Sequence, residues 1–148
     1  MKNKFPKNAL GCLFAIILLL LNINCTKQDS KASNQKTVKA VYTAYEKKDW
    51  NMLTSLFTDG FTFTSPMDDH IDLKEYKIRC WPNAYNIKRF DIEKLIVDGD
   101  DAYVTYNGLT NDGKEFRNTE YFILKDGKIK AFTCFFGPCI SFPNNTKK

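Results

Sequence analysis

The chain has a single histidine, His70, and none of its five cysteines falls at Cys-x-x-Cys spacing. A tetrahedral zinc centre draws on clustered Cys and His ligands, so no metal site is expected. Glycine gives no help to a nucleotide either. Gly99, Gly108, Gly113 and Gly127 stand singly at turns and in strands instead of forming a phosphate-cradling loop, and no cofactor is expected. A stripe of one charge is also missing. Lys2, Lys4 and Lys7 precede any acid, and setting those three aside from the 22 Lys and Arg leaves 19 against 17 Asp and Glu. Interspersed charges near balance argue against a nucleic-acid partner. With 148 residues there is room for one domain.

A long apolar run is absent as well. The longest, Ala9 to Leu21, falls short of the roughly 20 residues that cross a bilayer and follows a lysine-rich start, so residues 1–24 read as a secretory signal peptide. The segment Leu21-Asn22-Ile23-Asn24-Cys25 resembles the bacterial lipoprotein signal, with Asn22 and Asn24 where leucine and a small residue are usual. The resemblance implies lipidation of Cys25 and an exported protein, lipid-anchored to a bacterial cell-envelope membrane. Residues 25–36, polar after the cysteine, are expected to be a flexible tether, residues 37–142 the folded domain and residues 143–148 a disordered tail. Export permits one disulfide among Cys80, Cys134 and Cys139, and which pair forms it stays open.

Within the domain, Val38, Val41, Tyr42 and Tyr45 are spaced as one face of an amphipathic helix from Thr37. Asp49 offers an N-cap to a second helix carrying Leu53 and Leu56, and Phe61 to Ser65 alternates as a short strand. Pro66 to Ile71 reads as a loop. Asp72 to Glu75 opens a third helix, which Pro82 stops. Lys88 to Gly137 then holds four alternating segments, joined by Asp98-Gly99, Asn111-Asp112-Gly113 and Asp126-Gly127, that predict an antiparallel sheet. The apolar residues change parity between Ile92 and Leu95, which predicts a bulge near Glu93-Lys94 and a bent sheet. On the third of these strands Phe116, Asn118, Glu120 and Phe122 share one face; which face is concave is left open.

The stretches Ser65-Pro66-Met67-Asp68-Asp69-His70-Ile71-Asp72, Arg79-Cys80-Trp81-Pro82, Phe116-Arg117-Asn118-Thr119-Glu120, Asp126-Gly127-Lys128-Ile129 and Phe136-Gly137 together resemble the SnoaL-like branch of the nuclear transport factor 2-like superfamily, over nearly all of Val38 to Gly137. The resemblance implies an α+β, cone-shaped fold, with three N-terminal helices packed on a strongly curved antiparallel sheet around a cavity. Relatives use that cavity for isomerisation, cyclisation, dehydration or binding alone. One departure stands out: Thr133 and Phe135 replace an acidic residue and a tyrosine before the final Phe-Gly, which removes polar groups expected on the cavity wall.

His70 beside Asp68, and Glu120 beside Asn118, are the candidate acid/base groups, because imidazole and buried carboxyl titrate near neutral pH. Phe63, Tyr76, Cys80, Trp81, Tyr106, Asn118 and Phe135 are the candidate ligand-binding residues, since an apolar small molecule wants an aromatic wall with few polar points. The expected function is binding of a small, largely apolar molecule, with cofactor-independent isomerase, cyclase or dehydratase chemistry. The alternative is a noncatalytic interaction module whose outer aromatics form a homodimer. Full-length protein is expected to enter the detergent phase in a phase-partition experiment, and Cys25→Ser to stay in the aqueous phase; equal partition of the two would refute lipidation.

Overall fold

The computed structural model describes residues 28–136. The signal peptide, Cys25, Cys139 and the C-terminal tail lie outside the described residues. Helix α1 covers 28–47, α2 Trp50–Ser55 and α3 Leu73–Arg79, which a 3-10 helix, Trp81–Asn86, follows. The strands are β1 Phe57–Ser65, β2 Asp68–Ile71, β3 Ile87–Asp98, β4 Asp101–Thr110, β5 Glu115–Lys125 and β6 Lys128–Phe135. They form one six-stranded sheet in the order β2-β1-β6-β5-β4-β3. The α+β class and the curved sheet are as expected.

The local reasons are those the residues carry. The stripe of α1 is buried at Val38, Val41 and Tyr42, and packs on the inner face of the sheet. Asp49 caps α2 by accepting from the Met52 N–H at 2.8 Å, and Asp72 caps α3 through Glu75 N–H at 2.9 Å, each satisfying an orphan end donor. Asp126 and Gly127 both take positive φ, 52° and 75°, which suits a tight hairpin turn. The bulge falls where parity breaks: Ile92 pairs with Tyr106 but Lys94 with Thr105, leaving Glu93 as the extra residue. On the outer face Glu93 receives Asn107 Nδ2 at 2.6 Å and Arg117 Nη2 at 2.7 Å, so the bend of β3 is pinned to β4 and β5. Together these two donors hold its carboxyl below the usual carboxylate range, Arg117 contributing most.

Three expectations need correction and a fourth, the stop at Pro82, is met with an addition. Residues 28–36, expected as tether, are helical, because Asn34 is buried and donates to Gly99 O at 3.0 Å while Thr37 donates to Gly127 O at 2.8 Å. A polar helix turn is thus held by the hairpin turns it covers. The loop at Pro66 to Ile71 contains β2, which pairs Ile71 with Phe63 and Asp68 with Ser65. Pro82 ends α3 but sits in the first turn of the 3-10 helix, where its missing N–H costs nothing. The sheet is mixed: β1 runs parallel to β6, with Phe63 opposite Phe132.

Gly108 has a steric role. It lies between Phe90 on β3 and Phe116 on β5, and a Cβ there would fall 2.2 Å from Phe116 Cζ. The ring of Phe116 therefore covers bare backbone, as aromatics do beside strand glycines. Gly108→Ala is expected to destabilise the domain by about 1–3 kcal/mol, the usual cost of overpacking. Thermal denaturation checks this, and an unchanged midpoint would show that Phe116 swings aside freely.

Candidate functional site

The inner face answers the question left open by the strand pattern. Val104 and Tyr106 on β4, Glu120 and Phe122 on β5, and Phe132 and Cys134 on β6 are buried there beneath α1 and α3. Around them runs a continuous aromatic lining: Phe63, Tyr76 and Phe132 meet edge to face, Phe132 stacks on Phe122, and Tyr42, Phe90 and Tyr106 meet edge to face. Tyr45 and Trp81 extend it toward Trp50.

One carboxyl sits inside this lining. Glu120 is 5% exposed, and its two oxygens accept from different elements: Oε2 from the Tyr42 hydroxyl of α1 at 2.6 Å, Oε1 from the Tyr106 hydroxyl of β4 at 2.8 Å. Asn118 Nδ2 donates in turn to the Tyr106 hydroxyl at 3.2 Å and to Cys134 Sγ at 3.6 Å. Among the described residues no cation pairs with Glu120. Burial raises its pKa above the ordinary 4.5, and the hydrogen bonds from Tyr42, Tyr106 and Cys134 pull only partly the other way. Burial likewise raises Tyr42 and Tyr106, with the charge of Glu120 adding to it, so both phenols stay protonated donors. A second hydroxyl pair, Tyr45 with Tyr76, lies close enough to feel the Glu120 charge. Two phenol protons meet there in one mutual hydrogen bond, so the pair has a further O–H to offer.

Of the residues chosen from sequence, the structure brings together Glu120, Asn118 and Tyr106, and places Phe63, Tyr76 and Trp81 in the same lining. It does not bring His70 and Asp68 to them. Both lie on edge strand β2, with β1 and β6 between it and β5. The His70 side chain is 75% exposed and its Nδ1 lies 2.5 Å from the still more open Asp69 carboxylate, while its backbone N–H donates to the Thr64 hydroxyl at 3.2 Å. Asp68 is half-buried and engaged: Arg79 Nη2 lies 2.6 Å from Oδ1, and Ser65 donates to Oδ2 at 2.9 Å, a knot that ties α3 to the β1–β2 hairpin. Cys80 belongs to that knot and not to the Glu120 site; burial, reinforced by the Asp68 charge, pushes its thiol up to about 12. Phe135 is 55% exposed on the outer face and lines nothing inside.

Three participants were missed. Tyr42 and Tyr45 had been read only as apolar positions of the helix stripe, and Cys134 only as a disulfide candidate. The signal available was chemical: a tyrosine on a buried face must still find a partner for its hydroxyl.

A protein-family model, described as a SnoaL-like domain, matches residues 38–132. The chain belongs to this family. Solved structures agree on the fold of the SnoaL-like domain. A designed protein with a curved β-sheet superposes with TM-score 0.64 at 16% identity, covering 73% of this chain and 88% of that one. A nuclear transport factor 2-like protein of unknown function from Cytophaga hutchinsonii gives 0.59 at 19% identity, covering 71% and 90%. An epoxide hydrolase of the LEH-like type from M. tuberculosis gives 0.61 at 14% identity, covering 72% and 84%. No curated protein matches the sequence. Within the SnoaL-like domain, Thr133 and Phe135 pair with Tyr121 and Thr119 on the outer face. The expectation that they strip polar groups from the cavity wall is therefore corrected: Glu120 and four tyrosines supply the interior polarity from elsewhere.

The buried carboxyl predicts a pH dependence with a definite sign. Its folded pKa is raised, so the folded state holds the proton more tightly than the unfolded chain. That contribution to stability is complete below about 4.5 and is lost as pH rises through the folded pKa of Glu120. Unfolding midpoints are expected to fall across that window in the wild type and to stay flatter in Glu120→Gln. Parallel profiles for the two proteins would show that Glu120 does not titrate there.

Proposed function

We propose that this SnoaL-like domain binds a small, largely apolar molecule against its inner aromatic lining and exchanges a proton with it through Glu120. The observation that carries this reading is a buried carboxyl that no cation pairs with among the described residues, held at both oxygens by phenols. Such a group is costly to bury unless it is used or neutralised, and a carboxyl whose pKa burial has raised is a better proton acceptor than an ordinary one. Tyr42 and Tyr106 fix its orientation, Asn118 fixes Tyr106, and the Tyr45–Tyr76 pair offers an O–H to an oxygen of the ligand. No redox or group transfer is needed, so isomerisation, cyclisation or dehydration are the reaction classes that fit. The same fold carries an epoxide hydrolase in M. tuberculosis, which supports small-molecule chemistry in this architecture. We further propose that the domain is exported and held at a cell-envelope membrane by a lipid on Cys25, on the strength of the leader sequence.

A second reading rests on the outer face. Ile96 and Tyr103 pair directly across β3 and β4 with about half of each exposed, Tyr103 stacks on Tyr121 at 4.7 Å, and Phe135 is open on β6. In that reading the domain is a noncatalytic module that dimerises or docks through this face.

Native mass spectrometry of the detergent-solubilised chain separates the two. A monomer with a retained small molecule is the expected result, and an empty dimer favours the second reading. With the ligand in D2O, Glu120→Gln is expected to retain binding and slow deuterium incorporation about 10²–10⁴-fold, the range for loss of a general acid/base. Unchanged incorporation would remove Glu120 from the chemistry.

A further inference from the structure

The reading of Cys25 as a lipid anchor has a geometric consequence, and the present inference rests on it. Cys25 is three residues before Gln28, where described helix α1 is already under way. Three Cα–Cα steps span at most about 11 Å. From Gln28 to Ser33 the helix advances about 8 Å with every residue exposed. Its start meets the end of the sheet that carries the Gly99 and Gly127 turns: Asn34 bonds Gly99 O, Thr37 bonds Gly127 O, and Ser33 Oγ lies beside Gly127. Gly99 and Gly127 are the β3–β4 and β5–β6 turns. The Asn111–Gly113 turn lies at the far end of β4, ten residues and about 30 Å away.

The helix cannot swing on these contacts, because it is held along its whole length. Tyr42 bonds Glu120 in the middle, Glu46 Oε1 accepts from Phe90 N–H at 2.7 Å, and Lys48 Nζ donates to Ile87 O at the far end. We propose that the start of α1 is a rigid stalk that presents the Gly99 and Gly127 turns to the lipid surface and the Asn111–Gly113 end away from it. An anchor within about 11 Å of Gln28 keeps the near end within reach of the lipid surface, while the far end lies about 30 Å further along the sheet. The near end is not shaped to insert: Asp98, Asp100, Asp101 and Asp126 outnumber Lys125 and Lys128 there, so the stalk alone holds it close. The partner is therefore a lipid surface faced at short range, and the far end is left open to the aqueous compartment.

Energy transfer to the membrane tests this. The full, processed chain, carrying Cys139→Ser and either Asp126→Cys or Asp112→Cys, is labelled with a maleimide donor. Cys134 is buried and the Cys80 thiol is pushed up to about 12, so the introduced thiol is the reactive one. The protein is placed in phosphatidylethanolamine–phosphatidylglycerol vesicles doped with an acceptor-labelled lipid. Transfer is expected to be clearly stronger from position 126 than from position 112. Equal transfer from the two positions, or the reverse order, overturns the proposal. Intact mass of the processed protein is read in parallel. A chain without lipid refutes the anchor itself, whereas a lipidated chain with equal transfer refutes only the fixed orientation.

Discussion

A carboxyl taken out of water must be given hydrogen bonds in return, and in this chain the donors come from two different layers of the fold. Tyr42 reaches Glu120 from the first helix and Tyr106 reaches it from the neighbouring strand, so one residue holds helix to sheet and fixes the inner face. Because hydrogen bonds to a charged or charge-sharing group contribute about 1.5–3 kcal/mol each, the pair matters to the register of α1 as well as to any chemistry. The surrounding rings exclude the water that would otherwise solvate Glu120. Polarity and apolar packing are thus two halves of one constraint.

The sheet is curved by a different device. Glu93, squeezed out of the β3–β4 ladder, turns its carboxylate to the outer face and is gripped there by Asn107 and Arg117. An ion pair this exposed contributes little free energy. Its value lies in where it sits: it ties three strands together at the bend, so that the concavity facing α1 is set by covalent register and merely steadied by charge. Inner and outer faces therefore divide the work, one holding the buried carboxyl and the other pinning the bend of the sheet.

This division explains what could be read from residues alone. The four strands from β3 to β6 were legible because each alternates for eight residues or more and is closed by Asp-Gly or Asn-Asp-Gly, and the bulge was legible as a break in parity. Glu120 and Asn118 could be singled out since polar residues between phenylalanines on one strand face are unusual company. What escaped was anything decided at long range. The polar helix turn at 28–36 looked like a tether because its partners, Gly99 and Gly127, are distant in sequence. Tyr42 and Tyr45 looked apolar because periodicity records where a ring points and not what its hydroxyl meets. His70 and Asp68 misled for the opposite reason: density of titratable groups along a chain is not convergence in space, and β2 carries them to the sheet's edge.

The parallel pairing of β1 with β6 also governs when the molecule can exist. Phe63 finds its parallel partner at Phe132, and nearly the whole domain must be made between them. Closing so large a loop precedes any reward from the contacts it brings, which slows folding and postpones it. While the last strand is still unmade, β1, the β2 hairpin and the aromatic cluster of Tyr76 have no sheet to join. A chain with this topology completes its sheet only when its C-terminal strand arrives.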